Sequence, residues 1–206
     1  MKGANLPATS SKRRRRAPKV QQISRTIQSV LDATLDLLGE VGYRGLTIQR
    51  ISERSGVARS TIYRHWNNIP EIAITAFDGA LGPNPALADT GNVEEDLRRL
   101  YQLLVIALKR TIWGRAMPAL IEASFNDPDF QNLLPNLVER RRDPSRKVLR
   151  RAIERGELIK DTPVDWVLDA ISGLLYQRLL ITGGKLDTPG MVDWAIECAL
   201  SQFRQN

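Results

Sequence analysis

The amino-acid sequence predicts an all-α protein. Along most of its 206 residues, apolar side chains recur at the three- and four-residue spacing of amphipathic helices. No segment shows the strict alternation of apolar and polar residues that is typical of a half-buried β-strand. Glycines, prolines and helix-capping residues fall between the periodic segments, where helices are expected to begin and end. The length suits one domain or two small ones.

Four helices are predicted in the first part of the chain. The first has an apolar stripe that starts at Ile23, and it is followed by Gly42, which suits a helix C-terminus. Thr47 is expected to cap the second helix, and Asn68 the fourth, which has Pro70 in its first turn. The predicted ranges are 23–42, 48–55, 59–66 and 68–81.

A loop rich in glycine and proline, residues 82–92, separates this part from a larger helical region. Thr162 is expected to cap one of the later helices, and Pro144 to kink or divide another. We therefore expect one folded unit at residues 23–81 and a second at 82–206. The helices predicted in the second unit are 93–112, 115–125, one from Asp127 or Asp129 to about 156, 164–182 and 189–203.

The charge of the chain is unevenly distributed. The whole net charge of +7 lies in residues 1–20, which hold seven basic side chains and no acidic one. Residues 1–22 are therefore expected to form a disordered basic arm. Such an arm beside a neutral body suits a polyanion such as DNA, although a solubilising tail would have the same composition. Its candidate DNA contacts are Arg13, Arg14, Arg15 and Arg16.

Composition excludes several classes of protein. A single cysteine, Cys198, excludes an intrachain disulfide framework and a cysteine-based zinc site, and a single histidine, His65, excludes a histidine-rich metal site. The longest apolar run, residues 103–108, is too short to span a membrane, and no signal peptide is evident. We expect a cytoplasmic protein without a metal or cofactor.

The two short helices joined at Gly56 have the spacing of a helix-turn-helix motif, whose second helix enters the major groove of DNA. With Ile62 turned inward, that helix presents cationic, hydroxyl and ring groups, which suit phosphates and base edges. A short amphipathic helix without this function would expose similar residues, so the spacing alone leaves both possibilities open. The candidate contacts are Arg59, Ser60, Thr61, Tyr63, Arg64 and His65.

Residues 47–66, TIQRISERSGVARSTIYRHW, are similar to the DNA-binding signature of TetR-type (tetracycline-repressor-like) regulators. Leu35, Gly42 and Tyr43 fit the same pattern, and the resemblance covers residues 24–77. Beyond them the similarity is one of length and helical outline. The resemblance implies a homodimeric, ligand-responsive transcriptional repressor that binds a palindromic operator in double-stranded DNA.

The resemblance also implies roles for single residues. Ala58 stands where the family often has a capping serine, and Ile69 where it often has a phosphate-binding lysine. The arginines of the basic arm would bind phosphate in place of that lysine. By motif position, the residues that contact mainly phosphates would be Thr47, Arg59, Tyr63 and His65. Those nearest the bases would be Ser60, Thr61 and Arg64.

An effector pocket is implied among the C-terminal helices. Such pockets are mostly apolar with a few polar groups. Aromatic side chains at helical spacing are also common in an ordinary core, so each candidate has that alternative. No motif identifies the effector. The candidate lining residues are Tyr101, Trp113, Met117, Phe125, Phe130 and Tyr176.

The last two predicted helices, within residues 164–203, are expected to form the dimer interface. The first has apolar residues on more than one side, so it needs a second partner besides its own core. Ala170 and Gly173 are small enough to allow close approach of a second copy in a two-fold contact. Burial wholly within one subunit is the alternative. Cys198 is expected to be a buried apolar residue.

Residues 140–155 contain eight basic side chains. We interpret them as a solvated helix face, with a surface for an acidic ligand or a second nucleic acid as the alternative. An enzyme is disfavoured because no phosphate-binding glycine motif is present and His65 lacks a nucleophile partner. A transcriptional activator, or an architectural DNA-binding protein without an effector, stays open. In the favoured mechanism, effector binding moves the hinge around residues 80–85 and changes the spacing of two recognition helices.

Overall fold

The computed structural model describes residues 17–86 and 89–205, with side chains from residue 24 onward. Within these ranges the chain forms α-helices, one π-helical segment and no β-strand. The all-α prediction is confirmed. The helices are α1 (Ala17–Val41), α2 (Ile48–Ser55), α3 (Arg59–His65), α4 (Ile69–Ala80), α5 (Val93–Arg110), α6 (Ile112–Asn126), α7 (Leu133–Glu154), α8 (Val164–Tyr176), which continues into the π segment (Gln177–Thr182), and α9 (Met191–Leu200).

Helices α1 to α4 form an N-terminal unit in which α1 packs against α2 and α4. Its core includes Val30, Leu38, Ile51 and Phe77, which are almost completely buried. α1 begins at Ala17, earlier than the periodicity indicated, so residues 17–22 belong to a helix and not to a disordered arm. The candidate contacts Arg13, Arg14, Arg15 and Arg16 lie outside the described residues.

The predicted caps of the short helices are present. The side chain of Thr47 accepts a hydrogen bond from the backbone N–H of Arg50 at 3.2 Å, and that of Asn68 accepts one from Glu71 at 3.0 Å. Each cap satisfies one of the amide groups that a helix N-terminus leaves unpaired. These caps explain why α2 and α4 begin where the sequence predicts.

The C-terminal unit is a bundle built around α5. This helix packs against α6, α7 and α9, while α8 packs between α7 and α9. Leu97, Leu120, Leu149 and Leu168 are buried at its centre. An apolar cluster continues from this bundle into the N-terminal unit, and Phe77 of α4 stacks on Trp113 of α6 with ring centroids 4.6 Å apart.

Pro144 was predicted to kink or divide a helix, and helix α7 passes through it without a break, so the division does not occur. A proline inside a helix deprives the carbonyl four residues earlier of its N–H partner. That carbonyl belongs to Arg140, and it accepts a hydrogen bond from Asn84 Nδ2 at 3.1 Å. The loop after α4 therefore supplies the bond that the proline cannot.

Two predicted helix starts differ in the structure. α7 begins at Leu133 and not at Asp127 or Asp129, because the Asp127 carboxylate is used in the preceding turn, where it accepts from the Asp129 backbone N–H at 2.9 Å. Thr162 does not cap α8, since its hydroxyl donates to the Ile159 carbonyl at 2.6 Å. Pro163 occupies the cap position without a side-chain bond.

Candidate nucleic-acid interface and ligand cavity

The turn between α2 and α3 is held by local hydrogen bonds. Ser52 Oγ donates to the Val57 carbonyl at 2.7 Å, and Ser55 Oγ accepts from the Val57 backbone N–H at 3.2 Å. Gly56 has φ of 70°, a left-handed conformation that L side chains rarely adopt. The angle at which α3 leaves α2 is therefore set by this serine–glycine turn.

One side of α3 is buried and the other faces outward. Ile62 is fully buried, whereas Arg59, Ser60, Tyr63, Arg64 and His65 are exposed; Thr61 is half-buried. Neither Arg59 nor Arg64 forms an ion pair within the described part of the chain. By contrast, the neighbouring Arg54 is held in two hydrogen bonds by Glu40 of α1. The guanidinium groups of α3 are thus available to an external anion.

Two positions near α3, Ala58 and Ile69, differ from the residues that are common in TetR-type regulators. Ala58 occupies the N-cap position of α3 and makes no side-chain cap bond. Ile69 is half-buried and packs against the apolar core, so it presents no cationic group beside α3. The exposed face of α3 lacks the two auxiliary polar groups that a serine and a lysine would give.

A cavity of about 760 Å³ lies between α5, α7, α8 and the loop after α4. Three of the candidate ligand-binding residues, Tyr101, Trp113 and Tyr176, are among the residues that line it. Many of its other lining residues are aliphatic. They include Leu81, Leu100, Leu103, Leu104, Ile106 and Val138.

Three of the candidate lining residues do not line this cavity. Met117 is buried in the bundle core, and Phe130 is buried with its ring edge-on to Tyr43, at a centroid distance of 5.2 Å. Phe125 lies near the end of α6 and is 84% exposed. Helical spacing alone could not separate these positions, because the turn between α6 and α7 lies where the sequence predicted a helix.

Two arginines of the cavity wall were not predicted as lining residues. Arg141 and Arg142 come from the basic stretch that we interpreted as a solvated face, yet their side chains are only 16% and 22% exposed. Most of the stretch is engaged in ion pairs, and Arg146, for example, pairs with Asp165 of α8 at 2.7 Å. The interpretation of the stretch as a solvated helix face was therefore wrong for Arg141 and Arg142.

Arg141 connects the cavity wall to the end of α4. Its Nε donates to Asp78 Oδ1 at 2.7 Å, and it also donates to the backbone carbonyl of Asp78. Another nitrogen donates to the Gly82 carbonyl at 2.7 Å and to Asn84 Oδ1 at 3.2 Å. A single side chain thus holds the last turn of α4 and the hinge loop against α7.

Arg142 and two tyrosines form the polar part of the cavity. Arg142 donates to Asp169 Oδ1 at 2.7 Å and to the Asp165 carbonyl at 3.0 Å. Burial raises the pKa of Tyr101, and burial raises the pKa of Tyr176 to about 12, so both hydroxyls stay protonated near neutral pH. Ser172 lines the cavity beside them.

A second contact joins the two units near the turn after α1. The Tyr43 hydroxyl donates to Asp127 Oδ2 at 2.5 Å, and Arg44 pairs with Glu122 at 2.8 Å. Burial and the hydrogen bond to Asp127 raise the pKa of Tyr43, so the phenol stays protonated. No sequence signal identified this contact, since Tyr43 and Asp127 are 84 residues apart.

The outer sides of α8 and α9 expose several large apolar side chains. Trp166 is 76% exposed, Trp194 60% and Ile181, in the π segment, 72%. Ala170 and Gly173 are also exposed on α8. The prediction that Cys198 is buried was wrong. It lies one helical turn after Trp194, on the same exposed side of α9.

In the described residues, no helix is long and apolar enough to cross a membrane, and no cluster of potential metal ligands is found. A helix-turn-helix unit with a free recognition helix, joined to a helical bundle that holds a cavity, defines a DNA-binding regulator. Residues 30–74 match the family described as bacterial regulatory proteins, tetR family. Residues 87–195 match the tetracyclin repressor-like C-terminal domain. The chain belongs to the TetR family of transcriptional regulators.

Individual relatives agree with this assignment. The chain is 28% identical over 164 residues to the uncharacterized HTH-type transcriptional regulator YdeS of Bacillus subtilis, covering 79% of this chain and 82% of YdeS. It is 28% identical over 166 residues to the DNA-binding transcriptional repressor TetR of Mycobacteroides abscessus, covering 77% of this chain and 84% of that repressor.

A solved structure shows the same architecture. The TetR family transcription regulator SCO0332 superimposes with a TM-score of 0.62 at 30% identity, over 84% of this chain and 95% of that one. The chain is accordingly a DNA-binding transcriptional regulator and not an enzyme.

Proposed function

We propose that this protein is a homodimeric repressor that binds a palindromic operator and releases it when an effector occupies the cavity. The observation that carries the proposal is Arg141, which lines the cavity and hydrogen-bonds the last turn of α4. α4 is also the helix that packs on α1 of the DNA-binding unit. An occupant of the cavity is therefore one side chain away from a helix that packs on the first helix of the DNA-binding unit.

The DNA-reading surface of this proposal is the exposed side of α3 with the cap of α2. Ser60, Thr61 and Arg64 would lie nearest the bases in the major groove. The exposure of α3 and its unpaired guanidinium groups support this assignment. The proposed phosphate contacts are Thr47, Arg59, Tyr63 and His65.

We propose that the basic arm adds backbone or minor-groove contacts through Arg13, Arg14, Arg15 and Arg16. The half-buried Ile69 supports this, because the position beside α3 offers no amine to a phosphate. In this arrangement the sequence-independent part of the affinity comes largely from the arm, and it is strongly dependent on salt.

The dimer interface of the proposal is the outer face of α8 and α9. Exposed large apolar patches mark interaction surfaces, and Trp166 of α8 and Trp194 of α9 are both exposed. The small, exposed Ala170 would let a second α8 approach closely, whereas Gly173 lines the cavity. A two-fold contact here would place two α3 helices for two half-sites one helical turn apart.

The proposed response to the effector is a shift between two orientations of α4. The hinge loop contributes Pro83, Asn84 and Pro85 to the cavity wall, so an occupant touches the hinge directly. An effector that binds one orientation better shifts the population toward it, and the spacing of the recognition helices changes. Structures with and without an effector that have the same recognition-helix spacing would contradict this mechanism.

The experiment that tests the proposed function is selection of bound fragments from a random DNA pool by the full-length protein near physiological salt. An enriched inverted repeat is expected, and it would then serve as the operator probe. Enrichment without a consensus would contradict the proposal and favour an architectural DNA-binding protein. Transcription in vitro from a promoter that carries the repeat separates a repressor from an activator.

A further inference from the structure

Two nitrogen donors in the cavity wall are buried without a hydrogen-bond partner in the described structure. They are the indole Nε1 of Trp113 and the guanidinium Nε of Arg142. Buried N–H groups in folded proteins nearly always have an acceptor, since leaving one unpaired is destabilising. Each nitrogen is itself covered, so it marks a residue of the cavity wall whose hydrogen-bonding capacity is not fully used within the described part of the chain.

The charge of the cavity wall favours an anion. The positive charge of Arg141 is used by Asp78, outside the cavity. Arg142 has Asp169 as its partner, but the Asp169 side chain is 64% exposed and that of Arg142 only 22%. Asp169 also lines the cavity, but at its outer part, so the guanidinium lies deeper in the wall than the carboxylate with which it pairs.

The hydroxyl groups near Arg142 reinforce this preference. The pKa values of Tyr101 and Tyr176 are raised, so both phenols are donors at neutral pH. The hydrogen bond from Tyr101 to the Leu168 carbonyl is long, at 3.4 Å, which leaves the hydroxyl free to reorient toward a better acceptor. An anionic group would accept hydrogen bonds from this set.

The side of the cavity that α5 provides is mostly aliphatic. Besides Tyr101 and Ala107 it consists of leucine and isoleucine, and two of these residues, Leu103 and Ile106, are about half exposed. Binding is favoured when an apolar ligand body covers apolar surface of this kind, because that surface is removed from water. A small inorganic anion would leave it uncovered.

Building on the effector site proposed above, we infer that the cavity binds an organic anion with an apolar body. Its anionic group pairs with Arg142 and accepts hydrogen bonds from the hydroxyls of Tyr101 and Tyr176. Its body covers the leucine side of α5. The ligand class is defined by this division of the wall into one cationic end and one apolar side.

The test uses two fluorescent probes with the same aromatic body. Anilinonaphthalene sulfonate is the anionic probe, and phenylnaphthylamine, which lacks the sulfonate, is the neutral one. Each is titrated into the full-length protein, and the dissociation constants are compared between variants. Because the same body is used, the ratio of the two constants isolates the contribution of the charge.

Arg142→Gln is expected to weaken binding of the sulfonate about tenfold or more and to leave the neutral probe within about twofold. Arg142→Lys keeps the charge and loses Nε. Its dissociation constant for the sulfonate should lie between those of wild type and Arg142→Gln. Trp113→Phe should weaken the sulfonate less than Arg142→Gln does. The matched control is Arg150→Gln, on the same helix but not lining the cavity, and it should change neither probe.

Ala107→Phe, which fills the cavity from α5, should abolish the binding of both probes if they occupy it. Far-ultraviolet circular dichroism and the unfolding midpoint confirm that each variant is folded. The inference is overturned if Arg142→Gln weakens both probes equally, if it weakens neither, or if Ala107→Phe leaves the sulfonate bound.

Failure of the proposed effector role would give a different result from failure of the proposed ligand class. If the sulfonate binds in an Arg142-dependent way but does not change the affinity for the selected operator, the ligand class holds and the effector role fails. If the sulfonate releases the operator equally from wild type and Arg142→Gln, a regulatory site exists but its ligand class is wrong.

Discussion

Asp78, near the end of α4, is held by Arg141 of α7, whose Nε lies 2.7 Å from the Asp78 carboxylate. The Arg141 side chain is 16% exposed and that of Asp78 30% exposed, so the pair is partly shielded from water. Because Arg141 also lines the cavity, the pair links the cavity wall to the DNA-binding unit.

Arg141→Gln should lower the free energy of unfolding by about 1–3 kcal/mol, because it leaves the Gly82 carbonyl without its donor and the Asp78 carboxylate with only the long contact from Arg140. Urea unfolding of the full-length protein measures this. Arg140→Gln is the matched control, since Arg140 approaches the same carboxylate at 3.4 Å but its side chain is 65% exposed. We expect less than about 0.5 kcal/mol for the control. Equal effects of the two substitutions would contradict the role of Arg141.

The ion pair between Arg146 of α7 and Asp165 of α8 should make the free energy of unfolding depend on pH in the acid range. The hydrogen bond from Arg146 holds the pKa of Asp165 below its ordinary value of 3.8. A carboxyl group whose pKa is lowered by folding stabilises the folded state above the unfolded-state pKa, and this contribution is lost as the pH falls through the lowered value. Wild type should therefore be more stable than Asp165→Asn near neutral pH, and the difference should narrow in acid.

Unfolding midpoints of the two proteins, measured from about pH 7 down to about pH 3, check this pH dependence. The control is Asp161→Asn, at an exposed aspartate that forms no ion pair in the described structure. A difference between wild type and Asp165→Asn that is constant with pH would show that the pair contributes no charge-dependent stability.

The short N-terminal helices could be predicted from sequence because their limits are set locally. Thr47, Gly56 and Asn68 cap or turn the chain through contacts with residues nearby in sequence. The outward face of α3 follows from the same periodicity, once Ile62 is placed in the core. These features need no knowledge of the rest of the fold.

The cavity could be predicted only in part because it depends on contacts between distant segments. Arg141 and Arg142 are shielded by elements about 25 to 60 residues away, and nothing in a run of arginines marks which of them turn inward. Phe125 and Phe130 differ in burial because α6 ends between them. Cys198 is exposed because no element in the described part of the chain covers its side of α9.

The two arginines of α3 should have different effects on DNA binding. Arg59→Ala removes a proposed phosphate contact, so it should weaken binding to all sequences similarly. It should also reduce the slope of log affinity against log salt by about 1. Arg64→Ala removes a proposed base contact, so it should cost about 1–3 kcal/mol for the selected operator and relax its specificity. Titrations of operator and scrambled DNA at several salt concentrations measure both effects. Arg115→Ala, exposed on α6, is the control.

Trp194→Asp should dissociate the proposed dimer. Burying a charged side chain in an apolar two-fold contact is unfavourable, and truncating a central tryptophan costs about 2 kcal/mol or more, which is roughly 30-fold in the dissociation constant. Sedimentation velocity over a range of concentrations measures the shift toward monomer. Phe125→Asp is the matched control, because Phe125 is at least as exposed but lies on α6. A variant at position 194 that sediments as wild type would place the interface elsewhere.

Deletion of residues 1–16, which ends just before α1, should weaken DNA binding and flatten its dependence on salt. Each arginine–phosphate pair that the deletion removes should reduce the slope of log affinity against log salt by about 0.9. Because the arm makes no proposed base contact in the major groove, the preference for operator over scrambled DNA should be largely retained. A version in which the four consecutive arginines are replaced by glutamine separates their charge from the length of the arm. An unchanged salt slope in both proteins would exclude the arm from the DNA complex.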